Sequence, residues 1–311
     1  MPELPEVETI ARGLAKRVTG EVIESVWLGQ KKEPLKSPAT EIAAALDKSR
    51  ITDVRRMGKH IIFDLDHVEN GVARALSRVN RGRNRRARES KSVSPAQASM
   101  AHPQAGGSAG PTPVRAQWIV HLGMTGSLRI CEPQTEVVKH THAILKLSSG
   151  RELRFVDPRR FGRLSVSSEF DATGVEPLEV DLDSFVALFR GRKTPIKSAL
   201  LNQKLLRGVG NIYADESLFR AGIRPRRRAA SITREQLAKL HRAVKEVLKE
   251  AIALGGSSIS DYVDADGEEG FFQLQHRVYG RASEPCLVCR TPIKRVVIAG
   301  RSSHYCPKCQ K

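Results

Sequence analysis

The sequence predicts an α+β chain of more than one domain: a β-rich first half fronted by one helix, a helical second half, and a small cysteine-bearing hairpin at the C-terminus. Three observations carry that reading. Short β-branched runs separated by turn signals recur through the first half. From about residue 181 the apolar residues fall at helical spacing instead. Cys286 and Cys289, then Cys306 and Cys309, form two C-x2-C pairs near the end.

The front helix starts in "MPELPEVE". Pro5 suits a first turn, where a missing N–H costs nothing, and Glu6 and Glu8 suit its positive end. Val7, Ile10, Leu14 and Val18 then share one face. A disordered leader would explain the prolines as well, and neither account requires Pro2 or Glu3. The runs "VIESVWL", "ITDVRRMGKHIIFDL", "AQWIVHLG" and "HAILKLSSGRELRFVD" read as strands, with "SSG" at 148–150 as a hairpin turn.

Residues 67–115 break the pattern. The stretch 74–91 holds eight Lys/Arg against one Glu, and 92–113 is rich in Ser, Ala, Gly and Pro. Such a composition cannot offset the entropy of ordering it, so a disordered basic insertion is expected. Beyond it, "DLDSFVALFRGR", "PIKSALLNQKLL" and "NIYADESLFRAG" read as successive helices. "TREQLAKLHRAVKEVLKEAIALGG" is the clearest, with Thr233 as cap, Gly255–Gly256 as stop, and Leu237, Leu240, Val244, Val247 and Leu248 as its buried stripe.

Composition narrows the partners. Lys and Arg number 52 against 34 Asp and Glu, a formal charge of +18, which favours a polyanion. No run of 18 apolar residues suggests a membrane span, and the acidic N-terminus lacks a secretory core, so a cytoplasmic protein without a membrane partner is expected. Five cysteines are too few for a disulfide scaffold in a chain of this length.

Three constellations can carry chemistry. Cys286, Cys289, Cys306 and Cys309 supply the four thiolates of one closed tetrahedral Zn2+ site, structural because no coordination position stays open. The zinc hairpin carries Arg301, with Lys294, Arg295 and Lys308 nearby, suited to phosphates or to a solvated face. In "LLRGVGNIYADE", a glycine-bearing connection leads into a helix whose free N–H groups and Asn211 could hold a phosphate, although the glycines could simply permit the turn. "HLGMTGSL" and "DPRRFG" place Met124 and Phe161 beside glycines and arginines. Core packing explains either alone; together they look like wedges that enter a base stack while Arg159 fills the vacated space.

These stretches, with "KHTH", "HRVYGR" and "YCPKCQ", resemble bacterial formamidopyrimidine-DNA glycosylases, over essentially the whole chain except 67–115. The resemblance implies a two-layered β-sandwich with its leading helix over 1–175, a helical domain with a helix–two-turns–helix element over 176–280, and a zinc finger over 281–311. It also implies a loop at about 255–271 that covers the everted base. The implied activity is excision of oxidised purines (8-oxoguanine and formamidopyrimidines) from damaged double-stranded DNA by a monomer, followed by β,δ-elimination at the abasic site. Removal of the initiator methionine would free the Pro2 amine, whose class titrates about 2.5 units below lysine, to form a Schiff base with the sugar C1′. By the same resemblance Glu3 is the proton donor, Lys59 serves β-elimination and Arg301 δ-elimination. DNA contacts fall on His140, Arg159, Arg192 and Asn211, with Met124, Arg159 and Phe161 intercalating. A pyrimidine-specific endonuclease VIII-like relative is the nearest alternative; it typically opens "PEGPE", where Leu4 stands here. A zinc-finger DNA-binding module without chemistry is the other.

Overall fold

Eight strands of the first half pair into two four-stranded antiparallel sheets in the computed structural model, which describes residues 1–67, 115–257 and 270–311. The basic insertion expected at 67–115, apart from its two end residues, and most of the covering loop expected at 255–271 lie outside the described residues. One sheet has the order β2 (Ser49–Met57), β3 (His60–His67), β4 (Arg115–His121), β8 (Arg163–Ser167). The other runs β1 (Ile23–Leu28), β6 (Thr141–Leu147), β7 (Glu152–Val156), β5 (Ser127–Cys131). Phe63, Trp118 and Val120 from the first share one core with Ala143, Leu145, Leu153 and Phe155 from the second, so the two sheets form a sandwich. The turn at 148–150 joins β6 to β7 as the sequence predicts, with Gly150 at φ +87°.

Helix α1 (Leu4–Val18) lays Val7, Ile10, Leu14 and Val18 into that core. Its start is fixed by Glu6, whose carboxylate accepts the Glu3 N–H at 2.8 Å. Leu4, one turn earlier, belongs to the other core, that of the helical half. The first residues of the chain therefore lie where the two halves meet. A short helix, α2 (Ala39–Leu46), was not legible in the sequence; it has Pro38 in place of a polar cap and only two turns of pattern.

The helical half contains α3 (Leu182–Phe189), α4 (Ile196–Leu200), α5 (Asn211–Arg220) and α6 (Arg234–Ala253). Thr233 caps α6 through the Gln236 N–H, and Gly255 and Gly256, both at positive φ, end it, as predicted. The helix expected through 206 stops at Leu200. There the Asn202 side chain accepts the Lys204 N–H at 3.0 Å, a local turn that competes with the helical ladder. Among the described residues no helix is long and apolar enough to cross a membrane.

Strands β9 (Lys294–Ile298) and β10 (Arg301–Tyr305) form the C-terminal hairpin. Ala299 and Gly300 both have positive φ, as a tight two-residue turn requires, and Arg301 follows directly at the hairpin tip. Two consecutive acids of α5 brace this region. Asp215 pairs with the buried Lys197 ammonium at 2.6 Å and accepts the His304 N–H of β10 at 2.8 Å. Lys197 in turn donates to the Ser302 carbonyl at 2.7 Å. Glu216 accepts the backbone N–H groups of Arg277, Val278 and Tyr279 at 2.8–2.9 Å.

Candidate active site at the junction of the two halves

Pro2 is half-buried at the junction, and Glu3 beside it is only 4% exposed. The loop that brings them there is "RGVGN". Gly208 accepts the Leu4 N–H on its carbonyl at 3.0 Å and sits at φ +90°, where a Cβ would meet the Leu4 side chain at 2.8 Å. Gly210 is tighter still: a Cβ there would lie 2.2 Å from the Glu3 carboxyl carbon. The Ile212 N–H at the start of α5 donates to Glu3 Oε1 at 3.2 Å. Within the protein the loop's helix terminus receives a carboxylate, and its glycines make room for the N-terminal residues.

Burial raises the Glu3 carboxyl from an ordinary 4.5 to about 6, against the Lys59 charge and the α5 N–H groups, which act to lower it. Lys59 occupies the tip of the β2–β3 hairpin, where Met57 pairs with His60 and Gly58–Lys59 form the turn. Its ammonium is buried, and burial lowers its pKa; the Glu3 and Glu6 carboxylates oppose that, and the Arg301 charge adds to it. Lys59 is thus electrostatically coupled to both Glu3 and Arg301, although the three come from a hairpin turn, the chain start and the last strand.

The Lys59 turn is held from behind. Arg56 pairs with Glu8 of α1 at 2.6 Å and with Glu176 at 2.8 Å, and it donates to the Gly58 carbonyl at 3.2 Å. Arg207, next to Gly208, reaches the same Glu176 at 3.3 Å. Glu6 also does more than start a helix. Its carboxylate accepts from the Tyr213 hydroxyl of α5 and from the Ser257 N–H at 2.8 Å, joining the N-terminus to the beginning of the 257–270 segment.

Met124 and Phe161 stand out of the sandwich edge, 44% and 52% exposed. The Arg159 guanidinium lies 4.8 Å from the Phe161 ring centroid, so these two members of the expected wedge are together, and the Met124 loop lies beside them. Their loops touch backbone to backbone: a Cβ on Gly123, at φ +65°, would lie 2.5 Å from the Phe161 carbonyl carbon. His140 is exposed at a left-handed φ of +70°. Asn211 begins α5 and donates to Ser302 Oγ at 3.3 Å, next to Arg301. Arg192 is exposed in the turn after α3, with its Nε on the Leu188 carbonyl; no contact among the described residues links it or His140 to the Glu3–Lys59 group.

Cys286, Cys289, Cys306 and Cys309 bring their Sγ atoms within 4.8 Å of one another. The Cys286–Cys309 and Cys289–Cys306 separations are 3.9 and 3.4 Å. A tetrahedral ion with bonds of ~2.3 Å needs sulfurs roughly 3.8 Å apart, so the cluster fits zinc. Sequence reasoning missed Glu6, Gly210, Lys197, Asp215 and Glu216. Glu6 carried a signal in its three-residue spacing from Glu3, and Gly210 was visible as a turn glycine without its purpose; the others meet partners distant in sequence, which spacing cannot reveal.

Three family models match the chain: the formamidopyrimidine-DNA glycosylase N-terminal domain over residues 1–164, the formamidopyrimidine-DNA glycosylase H2TH domain over 173–263, and a zinc finger found in FPG and IleRS over 283–311. A formamidopyrimidine-DNA glycosylase of Solibacter usitatus is 42% identical over 315 residues, covering all of both chains. The crystal structure of the MutM (Fpg) protein from Thermus thermophilus superposes with a TM-score of 0.75 at 37% identity, covering 99% of this chain and 98% of that one. A Lactococcus lactis Fpg variant, solved in complex with a Fapy-dG-containing DNA, gives a TM-score of 0.79 at 28% identity with both chains fully covered.

Proposed function

The chain belongs to the formamidopyrimidine-DNA glycosylase family, and on that premise we propose that it excises oxidised purines from duplex DNA and then cuts the strand, with Pro2 as nucleophile. The observation that supports the assignment of residues is the seat of the N-terminus: the Gly208 carbonyl holds the Leu4 N–H, and the Glu3 carboxyl packs on Gly210 too closely for any Cβ, so the residues that follow Pro2 are fixed between the two halves.

Once Met1 is removed, the Pro2 nitrogen is a secondary amine. Its attack on C1′ forms a C–N bond as the C1′–base bond breaks; the bonding pair leaves with the base, which takes up the proton that the Pro2 nitrogen gives up. The sugar opens to an iminium that is cationic without a further proton. Glu3, with its carboxyl raised to about 6, is placed to give the ring oxygen a proton in that step. The iminium acidifies the 2′ hydrogen, and loss of that proton expels the 3′ phosphate. Burial lowers the Lys59 pKa, which raises the fraction of neutral amine able to take a proton in this elimination. Arg301 at the hairpin tip supports the second, δ, elimination, and Met124, Arg159 and Phe161 fill the stack when the base leaves it.

Cys286, Cys289, Cys306 and Cys309 would hold one zinc, which would make the hairpin rigid and so keep Arg301 in place, a structural rather than catalytic contribution. His140, Arg159, Arg192 and Asn211 supply contacts to the DNA, whose phosphates the +18 charge attracts. Action in the bacterial cytoplasm fits this substrate. A lesion panel tests the reading: duplexes with 8-oxoguanine, a formamidopyrimidine, thymine glycol and dihydrouracil, each at saturating enzyme. Faster release of the two purines supports it, and preference for the pyrimidines overturns it.

A further inference from the structure

Asp157 belongs to no step described above, yet it is fully buried at the end of β7, beneath the wedge. One carboxylate oxygen accepts the Thr125 hydroxyl at 2.6 Å and the Arg159 N–H at 3.3 Å. The other accepts the Gly162 N–H at 2.7 Å. Its main chain is engaged as well: its N–H donates to the His140 carbonyl at 3.0 Å, and its carbonyl accepts from the His142 ring at 3.0 Å and from the Arg160 N–H at 3.3 Å. The three loops gathered on this one residue are those that present Met124, Arg159 with Phe161, and His140.

The surroundings over-determine that arrangement. His140 and Arg160 both adopt left-handed backbone, at φ +70° and +55°, which side-chain-bearing residues take up only where neighbours hold them. Both are bonded to the Asp157 main chain. A Cβ on Gly162 would come within 3.0 Å of the Asp157 carboxylate and 2.7 Å of the Phe155 ring, so the loop closes tightly over the acid.

We propose that Asp157 is a positioning residue that locks the Met124 loop, the Arg159–Phe161 loop and His140 into one preformed wedge, and that it serves eversion of the base rather than bond breaking. Prising a base from the stack requires that the inserting side chains arrive already ordered. An abasic duplex offers no base to evert, so its cleavage should depend far less on the wedge.

The inference rests on the proposed function, and the test separates the two. The full chain, zinc-loaded and with Met1 removed, is compared with Asp157→Asn and Thr125→Val at saturating enzyme in single turnover. Eversion is followed by the fluorescence of 2-aminopurine placed beside an 8-oxoguanine, and strand cleavage is followed on an abasic duplex. In Asp157→Asn an amide NH2 must face one of the N–H or O–H donors. Eversion should therefore slow at least about tenfold more than abasic cleavage does. Thr125→Val removes the hydroxyl that donates to Asp157 and accepts the Arg159 N–H at 3.3 Å, leaves the carboxylate's own bonds to the Arg159 and Gly162 N–H groups in place and should show the same split at smaller amplitude; it carries the test if Asp157→Asn does not fold. Equal losses in the two assays, or a loss in neither, overturn the inference. A parent protein that neither everts nor cleaves overturns the proposed function instead.

Discussion

Glu3→Gln should make the protein more stable at alkaline pH while removing most of its base-release activity. The carboxyl is raised from 4.5 to about 6 chiefly by burial. That shift corresponds to about 2 kcal/mol of folding free energy, at ~1.4 kcal/mol per unit. Because the folded-state value lies above the unfolded one, the contribution is fully present below about pH 4.5 and is lost as pH rises through about 6. Glutamine has nearly the same volume. Its oxygen can keep the Ile212 N–H, and its NH2 falls where Glu3 Oε2 has no hydrogen-bond partner. Part of the gain is offset at Lys59, whose buried ammonium loses a neighbouring carboxylate. We expect Glu3→Gln to exceed the parent by about 1 kcal/mol at pH 8 and to lose that advantage by about pH 5. Urea unfolding of zinc-loaded protein at the two pH values measures it. Single-turnover release of 8-oxoguanine should fall by roughly 10²–10⁴ with DNA affinity retained. A variant less stable than the parent at about pH 8, or a rate within about threefold of the parent's, far short of a lost proton donor, refutes this reading of Glu3.

Gly210→Ala places a Cβ 2.2 Å from the Glu3 carboxyl carbon and must displace it from α5, so base release should drop by roughly 10² or more in the same assay, with DNA binding kept. Asp215→Asn leaves the Lys197 ammonium buried without its carboxylate and loosens β10; urea melts should show a loss of about 3–5 kcal/mol, and gels should show δ-products falling relative to β-products. Elemental analysis should find one zinc per chain, and chelation should weaken DNA binding by releasing the hairpin that carries Arg301.

Much of this was legible in the sequence because it is written locally. The stripe Val7, Ile10, Leu14, Val18, the Thr233 cap and the paired cysteines each declare themselves within a few residues, and each is where its pattern predicts. The strands of the first half followed from β-branched runs and turn residues, whereas their stacking as a two-layered sandwich was implied by the family resemblance alone. What stayed hidden is held by long-range backbone contacts. Glu216 gives no sign in "YADES" that it will cap three N–H groups about sixty residues away, and Asp157 reads only as a turn former in "VDPRR". The glycines of "RGVGN" were visible, but their purpose was not, because the side chain they accommodate enters from the other end of the chain. The short α2 and the early end of α4 were missed because weak caps and an Asn-based turn leave little periodicity to read.

The central claim is that the N-terminal amine performs the chemistry, and borohydride trapping tests it most directly. Processed protein is mixed with a duplex carrying 8-oxoguanine, reduced during turnover, digested and mapped by mass spectrometry. One covalent DNA adduct is expected on the peptide that begins at Pro2, and none when Met1 is retained or Pro2 is replaced by glycine. An adduct on Lys59 or another lysine, or full strand cleavage by protein that still bears Met1, would contradict it.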